Sequence, residues 1–268
     1  MKKLPILIII PHGGYKVPEE LSGLHNLSGF DLFTQADTCA NDIFNFGDRV
    51  SRTCDTPVSR LFIDLDRPMK SVPPLTTDGV IKNRTLYDRE IFSEGVMPDE
   101  ISMANLIKRY YVPFHDRINS VIRSGSISLV LECHTAMSVA PANAVDKGMP
   151  RPIIDLHNSA ESKSDVLKSA ESGIAGSLLE CLEKELHDEE GTVTDRFRLN
   201  PEPSAGHILA RYGKRGIPMI RLTLSKALFL NDRYFSHDYL RVDEIRIHAI
   251  REKIWSAVEH FYRINFIK

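Results

Sequence analysis

Two histidines, His12 and His134, each end a run of aliphatic residues, in "LPILIIIPHGG" and "SISLVLECHTAM". Such runs read as strands buried on both faces, and open α/β sheets present their chemistry at the carboxyl ends of strands. If both strands belong to one parallel sheet, the two imidazoles emerge at the same edge. Two neutral imidazoles and a carboxylate, with a fourth position left for water, make a catalytic zinc site. Asp37, Asp64, Asp66 and Glu132 are the acids available to complete it, and spacing alone does not choose among them. The competing reading for each histidine is a structural hydrogen bond at a strand end, and for Asp37 a helix N-cap. No HExxH, P-loop, GxSxG or GxGxxG motif offers a different chemistry.

The elements that must position these residues can be read along the chain. The apolar run at 4–10 is a first strand, and "VSRLFIDLDRP" reads as a strand over 58–64 that ends in an acidic, arginine-containing loop. Residues 70–98 are irregular and should lie over one face of the domain. Helical spacing returns over 99–123, where Pro113 should kink or divide the helix. "SISLVLECHTAM" and "GIPMIRLTLS" are further strands. A helix is expected over 165–187, with Leu167, Leu178, Leu179 and Leu182 on its buried stripe. An amphipathic helix should close the chain over 239–262 with Leu240, Ile245, Ile250 and Trp255. Strands alternating with helices imply a mostly parallel sheet covered on both faces, in a single domain spanning 1–268. Gly13 and Gly14 are expected to let the backbone pass close to a metal or substrate.

Bulk properties narrow the partners. The chain has 268 residues, 42% apolar and 26% charged, with a formal net charge of −2. That balance gives no reason to expect nucleic acid or an anionic membrane as a partner. The N-terminal apolar run is too short for a signal peptide and leads into "PHGG" rather than a cleavage site. Cys39, Cys54, Cys133 and Cys181 form no CxxC pair, so neither a disulfide framework nor a zinc finger is indicated, and the expected compartment is the cytoplasm.

A series of motifs resembles one family. "PHGGYKVP" is similar to the P-H-S-G…P opening of the N-formylglutamate amidohydrolases. "SRLFIDLDRP" resembles their S-R…V-D-L-N-R-P segment, "YYVPFHDRI" their Y…P-Y-H, and "ECHTAMS" their D-C-H-S-M. "SAGHILARYG" and "LTLSKALFLND" resemble G-G-Y-I-T-R-x-Y-G and L-E-I-N-R-x-L-Y-M-D-E. The matches keep their order over roughly residues 6 to 232. The resemblance implies a three-layer α/β sandwich with a mixed, mostly parallel sheet, phosphorylase/hydrolase-like as in the zinc peptidases and aspartoacylase-like deacylases.

It also implies roles. His12 and His134 would be metal ligands for one Zn2+ per chain. Aspartoacylase-like relatives place a glutamate three residues after their first histidine, where this chain has Tyr15, so the third ligand must come from elsewhere; Asp37 falls at the family's acidic D-T-D position. Arg67 matches an arginine that holds a substrate carboxylate, work suited to a guanidinium fork. The expected reaction is hydrolysis of the amide of a small N-acyl amino acid by metal-activated water. Thr223 stands where the family has a glutamate, and a threonine cannot act as a base near neutral pH. Glu132, on the same strand face as His134, is expected to take the proton instead. Asp66 stands where relatives carry asparagine, adding negative charge near the substrate carboxylate's place. His207 is a candidate substrate contact, and His115 reads as a core histidine on a helix. The alternative function is a catalytically silent relative that binds a metal or small acidic ligand without turnover.

Overall fold

The computed structural model describes residues 3–93, 96–142, 144, 147–161, 166–189, 196–200 and 206–267. Its centre is a six-stranded sheet built from β1 (Leu4–Ile10), β2 (Val50–Asp55), β3 (Leu129–Ala136), β4 (Ile154–His157), β7 (Phe197–Leu199) and β8 (Met219–Ser225). Two short strands, β5 (Ser159–Glu161) and β6 (Val166–Lys168), pair with each other, as do β9 (Phe235–Ser236) and β10 (Arg241–Val242). The large sheet runs in the order β2-β1-β3-β8-β4-β7. Its first four strands are parallel, β4 is antiparallel to β8, and β7 is parallel to β4. The sheet is therefore mixed and mostly parallel.

Strand alternation sorts the side chains onto two faces. Ile6, Ile8 and Ile10 of β1 join Leu129, Leu131 and Cys133 of β3 and Ile220, Leu222 and Leu224 of β8 in one apolar core. That core is covered by α2 (Ala40–Phe44), α5 (Ser172–Leu186) and α7 (Glu244–Phe266). Leu7, Ile9, Val130 and Met219 face the other way, against α3 (Glu100–Leu106), α4 (Val112–Arg123), α6 (His207–Tyr212) and the loop from Val58 to Phe92. On this second face the carboxyl-terminal halves of β3 and β8 turn polar. Glu132, His134, Arg221 and Thr223 alternate with the apolar residues of the first face, and His134 pairs with Thr223 across the strands. α1 (Gly29–Gln35), capped by Ser28 through the Asp31 backbone N–H, delivers the chain to Asp37.

Several elements differ from the expected ones. The second strand is not 58–64 but Val50–Asp55. Residues 58–64 form turns: the amides of Phe62 and Ile63 both donate to the Ser59 carbonyl, which coils this stretch instead of extending it. Its apolar residues are buried all the same, because the 70–92 segment folds over them, as when the Asp64 amide donates to Val80 O. The helix expected from 165 starts at Ser172, since Val166–Lys168 pairs with β5; residue 165 lies outside the described residues. The last helix starts at Glu244, where the Asp243 carboxylate caps the Ile245 and Arg246 amides. Ile245 faces solvent, and the buried stripe is Ile247, Ile250, Ile254, Trp255, Val258 and Phe261. The helix over 99–123 is divided as anticipated, by a single wide turn at Ile107–Tyr111 just before Pro113. A proline has no N–H to continue an α-helical ladder, and the wider turn absorbs the mismatch.

Candidate active site

β1 and β3 are parallel neighbours, and they bring His12 and His134 side by side with ring centroids 5.1 Å apart. Asp37 reaches both. Its Oδ2 lies 2.7 Å from His134 Nδ1 and 3.7 Å from His12 Nδ1. The backbone holds Asp37 there: its amide donates to His12 O at 3.0 Å, and the adjoining turn is propped by Tyr15, whose hydroxyl accepts from the Cys39 amide at 2.8 Å. Tyr15 therefore braces the carboxylate that stands in this cluster. Burial, then the neighbouring negative charges, pushes its phenol pKa upward and keeps it neutral.

Each imidazole has a second carboxylate on its far nitrogen. His12 Nε2 donates to Asp64 Oδ1 at 2.7 Å, and His134 Nε2 donates to Glu132 Oε1 at 2.9 Å. Carboxylates in this position fix the tautomer and orientation of a ligand histidine. Burial and the Arg221 charge oppose a proton on His134, but its bonds to Asp37 and Glu132 prevail and hold its pKa above the ordinary value. Burial likewise opposes ionising Asp37 and Asp64, yet His12 and, for Asp64, Lys82 and Arg60 hold both carboxyls well below the usual range.

Three cations around these carboxylates were not among the candidate site residues, although Arg60 stands in the S-R motif. Arg60 spans Asp37 at 3.3 Å and Asp64 at 3.2 Å, while Lys82 lies 3.0 Å from Asp64 and also contacts Asp78. Arg221, on β8, pairs with Asp66 at 2.8 Å and approaches Glu132 at 3.3 Å. Asp66 also accepts from the Ile208 amide at 2.6 Å, so its extra charge is neutralised by Arg221 and the start of α6. Gly206 makes that possible: a Cβ there would lie 1.9 Å from Asp66 Oδ2.

The other sequence candidates fall as follows. Arg67 points at Asp78, 2.5 Å away, with its Nε 3.9 Å from Asp64. His207, the first residue of α6, has a buried Nε2 without a hydrogen-bond partner among the described residues. Burial is the largest influence that lowers its pKa. His115 is a core histidine, as expected, bonded to Tyr212 Oη and Leu65 O. Gly13 and Gly14 serve a different approach from the one anticipated: a Cβ at Gly14 would lie 2.3 Å from the Pro57 carbonyl carbon, and one at Gly13 would meet the Asn41 side chain. They let the His12 loop pass over neighbouring protein, stitched there by the Lys16 amide on Pro57 O.

His12, Asp37 and His134 offer three ligand atoms within 4.8 Å of one another, and Asp66, Glu132 and His134 form a second such group. The first fits a metal cation best. His12 Nδ1 is buried and has no hydrogen-bond partner among the described residues, while its Nε2 is already committed to Asp64. The second group is occupied by Arg221, a fixed cation between its two carboxylates.

This geometry agrees with the family that the motifs resemble, and the N-formylglutamate amidohydrolase profile matches residues 4–230. The chain belongs to the N-formylglutamate amidohydrolase family. Among solved structures, it is similar to N-formylglutamate amidohydrolase from Ralstonia eutropha JMP134, with a TM-score of 0.70, 16% identity, and 98% and 95% of the two chains covered. It is also similar to the gene product Atu2144 from Agrobacterium tumefaciens, with a TM-score of 0.62, 17% identity, and 97% and 92% covered. At such identities the likeness establishes the fold. The sequence matches none of the curated proteins with which it was compared. Family membership supports an amidohydrolase activity on a small amide. Among the described residues, no helix is long and apolar enough to cross a membrane.

Proposed function

We propose that the protein is a zinc-dependent amidohydrolase that cleaves the amide of a small N-acyl amino acid or similar compound. The observation that carries this reading is the convergence of His12 Nδ1, His134 Nδ1 and Asp37 on one buried point, with His12 Nδ1 otherwise unpartnered. Zinc held by these residues would polarise an amide carbonyl and bring the pKa of water towards about 7. Asp64 keeps Nδ1 of His12 free of a proton by accepting from Nε2. Glu132 orients His134 through Oε1, and its Oε2, buried and unpartnered among the described residues, is the proton acceptor and donor for the leaving nitrogen. Arg67 and His207 are the substrate-facing groups.

Thr223 favours a second reading. It lies beside His134 on β8 and brings no carboxylate to the site, as in a relative that binds without turnover. Metal analysis with a hydrolysis screen separates the two. Purified protein should hold one zinc per chain, lost in His12→Ala and His134→Ala, and should hydrolyse one of a set of N-formyl, N-acetyl and N-succinyl amino acids. Stoichiometric zinc without turnover of any of them supports the silent reading; a protein that takes up no metal even when zinc is supplied defeats the enzyme reading. A Glu132→Gln variant with full activity would remove Glu132 from the mechanism.

A further inference from the structure

Three cations beside the carboxylates of the candidate site are already paired. Arg60 is held between Asp37 and Asp64, Lys82 between Asp64 and Asp78, and Arg221 between Asp66 and Glu132. Of the three arginines that pair with these carboxylates, Arg67 has the most open face, its side chain 32% exposed against 18% for Arg60 and 17% for Arg221. It is therefore where an incoming carboxylate would dock, and Asp78 stands there at 2.5 Å.

Asp78 is built into this place. Lys82 grips it from below while resting on the buried Asp64. Its own amide donates to Thr76 Oγ1 at 3.2 Å, and the next residue, Gly79, packs so closely on Ser71 O that a Cβ would clash. The Val80 amide donates to that same carbonyl at 2.7 Å, and Val80 O accepts from the Asp64 amide at 2.8 Å. The segment carrying Asp78 is thus stitched to the segment carrying Asp64 and Arg67. An external carboxylate would have to displace a tethered one, whose effective concentration is that of an intramolecular group, and it would meet the charge of Asp78 close by.

We propose that Asp78 is a specificity determinant that engages Arg67 through Nη2 and sets its negative charge beside that guanidinium, so that the site disfavours substrates bearing a carboxylate at that position and takes amides that are neutral there. This deepens the amidohydrolase reading and rests on it. It names the class of substrate as an N-acyl compound whose group facing Arg67 is a hydrogen-bonding neutral group, such as a carboxamide. Selectivity of this kind comes from an unfavourable element set against the wrong ligand.

The test uses zinc-loaded protein with N-formyl-L-glutamate and its neutral diamide. Binding is measured by calorimetry and hydrolysis by release of formate, for the wild type, Asp78→Asn and Asp78→Ser. The wild type should favour the diamide at least tenfold. Both variants should gain about tenfold or more in affinity for N-formyl-L-glutamate, appearing in KM, with little change for the diamide. Two variants guard against a folding defect in one, and circular dichroism identifies it. A wild type that prefers the dicarboxylate overturns the proposal, as does the absence of any gain for it in both folded variants. If no compound is hydrolysed but the binding shift appears, the amidohydrolase reading fails and the role of Asp78 stands.

Discussion

His115 should make this protein lose stability in acid, in a way that one substitution removes. Its ring is buried, with Nε2 donating to Leu65 O at 3.0 Å and Nδ1 accepting from the Tyr212 hydroxyl at 2.8 Å. Burial, helped by the charge of Arg211, pushes its pKa down from 6.5 to about 3. In the unfolded chain the imidazole titrates at its ordinary value. Above pH 6.5 neither state takes the proton; from 6.5 down to 3 only the unfolded chain does, so stability falls throughout that window. One proton is worth about 1.4 kcal/mol per pH unit, which makes about 3 kcal/mol between pH 6.5 and pH 4, or roughly 6–12 °C in Tm for a chain of this size. Denaturant unfolding of the wild type and His115→Gln at pH 7, 6, 5 and 4 measures it, with a chelator present so that metal release adds no slope. The glutamine keeps a donor for Leu65 O and does not titrate, while the carboxylates contribute alike to both proteins. The wild-type slope should therefore be steeper by about one proton. Parallel slopes, or an NMR titration placing His115 near 6.5 in the folded protein, would refute the reasoning.

Three further outcomes are expected. Arg221→Met leaves Asp66 and Glu132 buried without their cation and should destabilise by about 3–5 kcal/mol in urea unfolding, part of which Asp66→Asn restores in the double variant. Tyr15→Phe strands the Cys39 amide and should cost about 1–3 kcal/mol, and a zinc titration should show weaker binding because the Asp37 turn is loosened. Gly14→Ala sets a methyl group against the Pro57 backbone and should lower stability by about 1–3 kcal/mol, with wild-type catalysis impaired through displacement of the His12 loop.

How far the sequence could be read follows from where each interaction lies. β1, β3 and β8 were legible because both faces of each are buried over much of its length, which writes an apolar run into the chain. β2 was not, since it is an edge strand with Ser51 and Arg52 exposed, and nothing in "VSRTCD" alternates cleanly. The stretch over 58–64 misled for the opposite reason. Its apolar residues are buried by the later segment around Val80, Ile81 and Ile91, a long-range contact that mimics the composition of a strand. His12 and His134 stood out as strand-end histidines, and their neighbours on the strands revealed Glu132. The pairing of Asp64 with His12, and the places of Lys82 and Arg221, depend on which loop crosses which strand. No local pattern encodes that. Tyr15 marked a departure from the relatives' ligand pattern, but its hydroxyl's contact with Cys39 is visible only in three dimensions.

The wide turn at Ile107–Tyr111 has a consequence for the chain's length. There the Val112 amide reaches back five residues, to Ile107 O, so the helix carries one residue more than an α-helical ladder needs. Each residue turns a helix by about 100°, so this surplus sets the rotational phase of Tyr111 relative to α3. Tyr111 donates to Arg67 O at 3.0 Å, accepts from Arg211 Nη1 at 3.3 Å, and packs at a tilt against the His115 ring, with centroids 4.1 Å apart. Deleting a single residue from 107–110 would swing that phenol about a quarter-turn away from the loop it holds, although every side chain in the cluster would remain. The surface loops can lengthen or shorten by a residue at little cost; within this turn the residue count itself is under constraint.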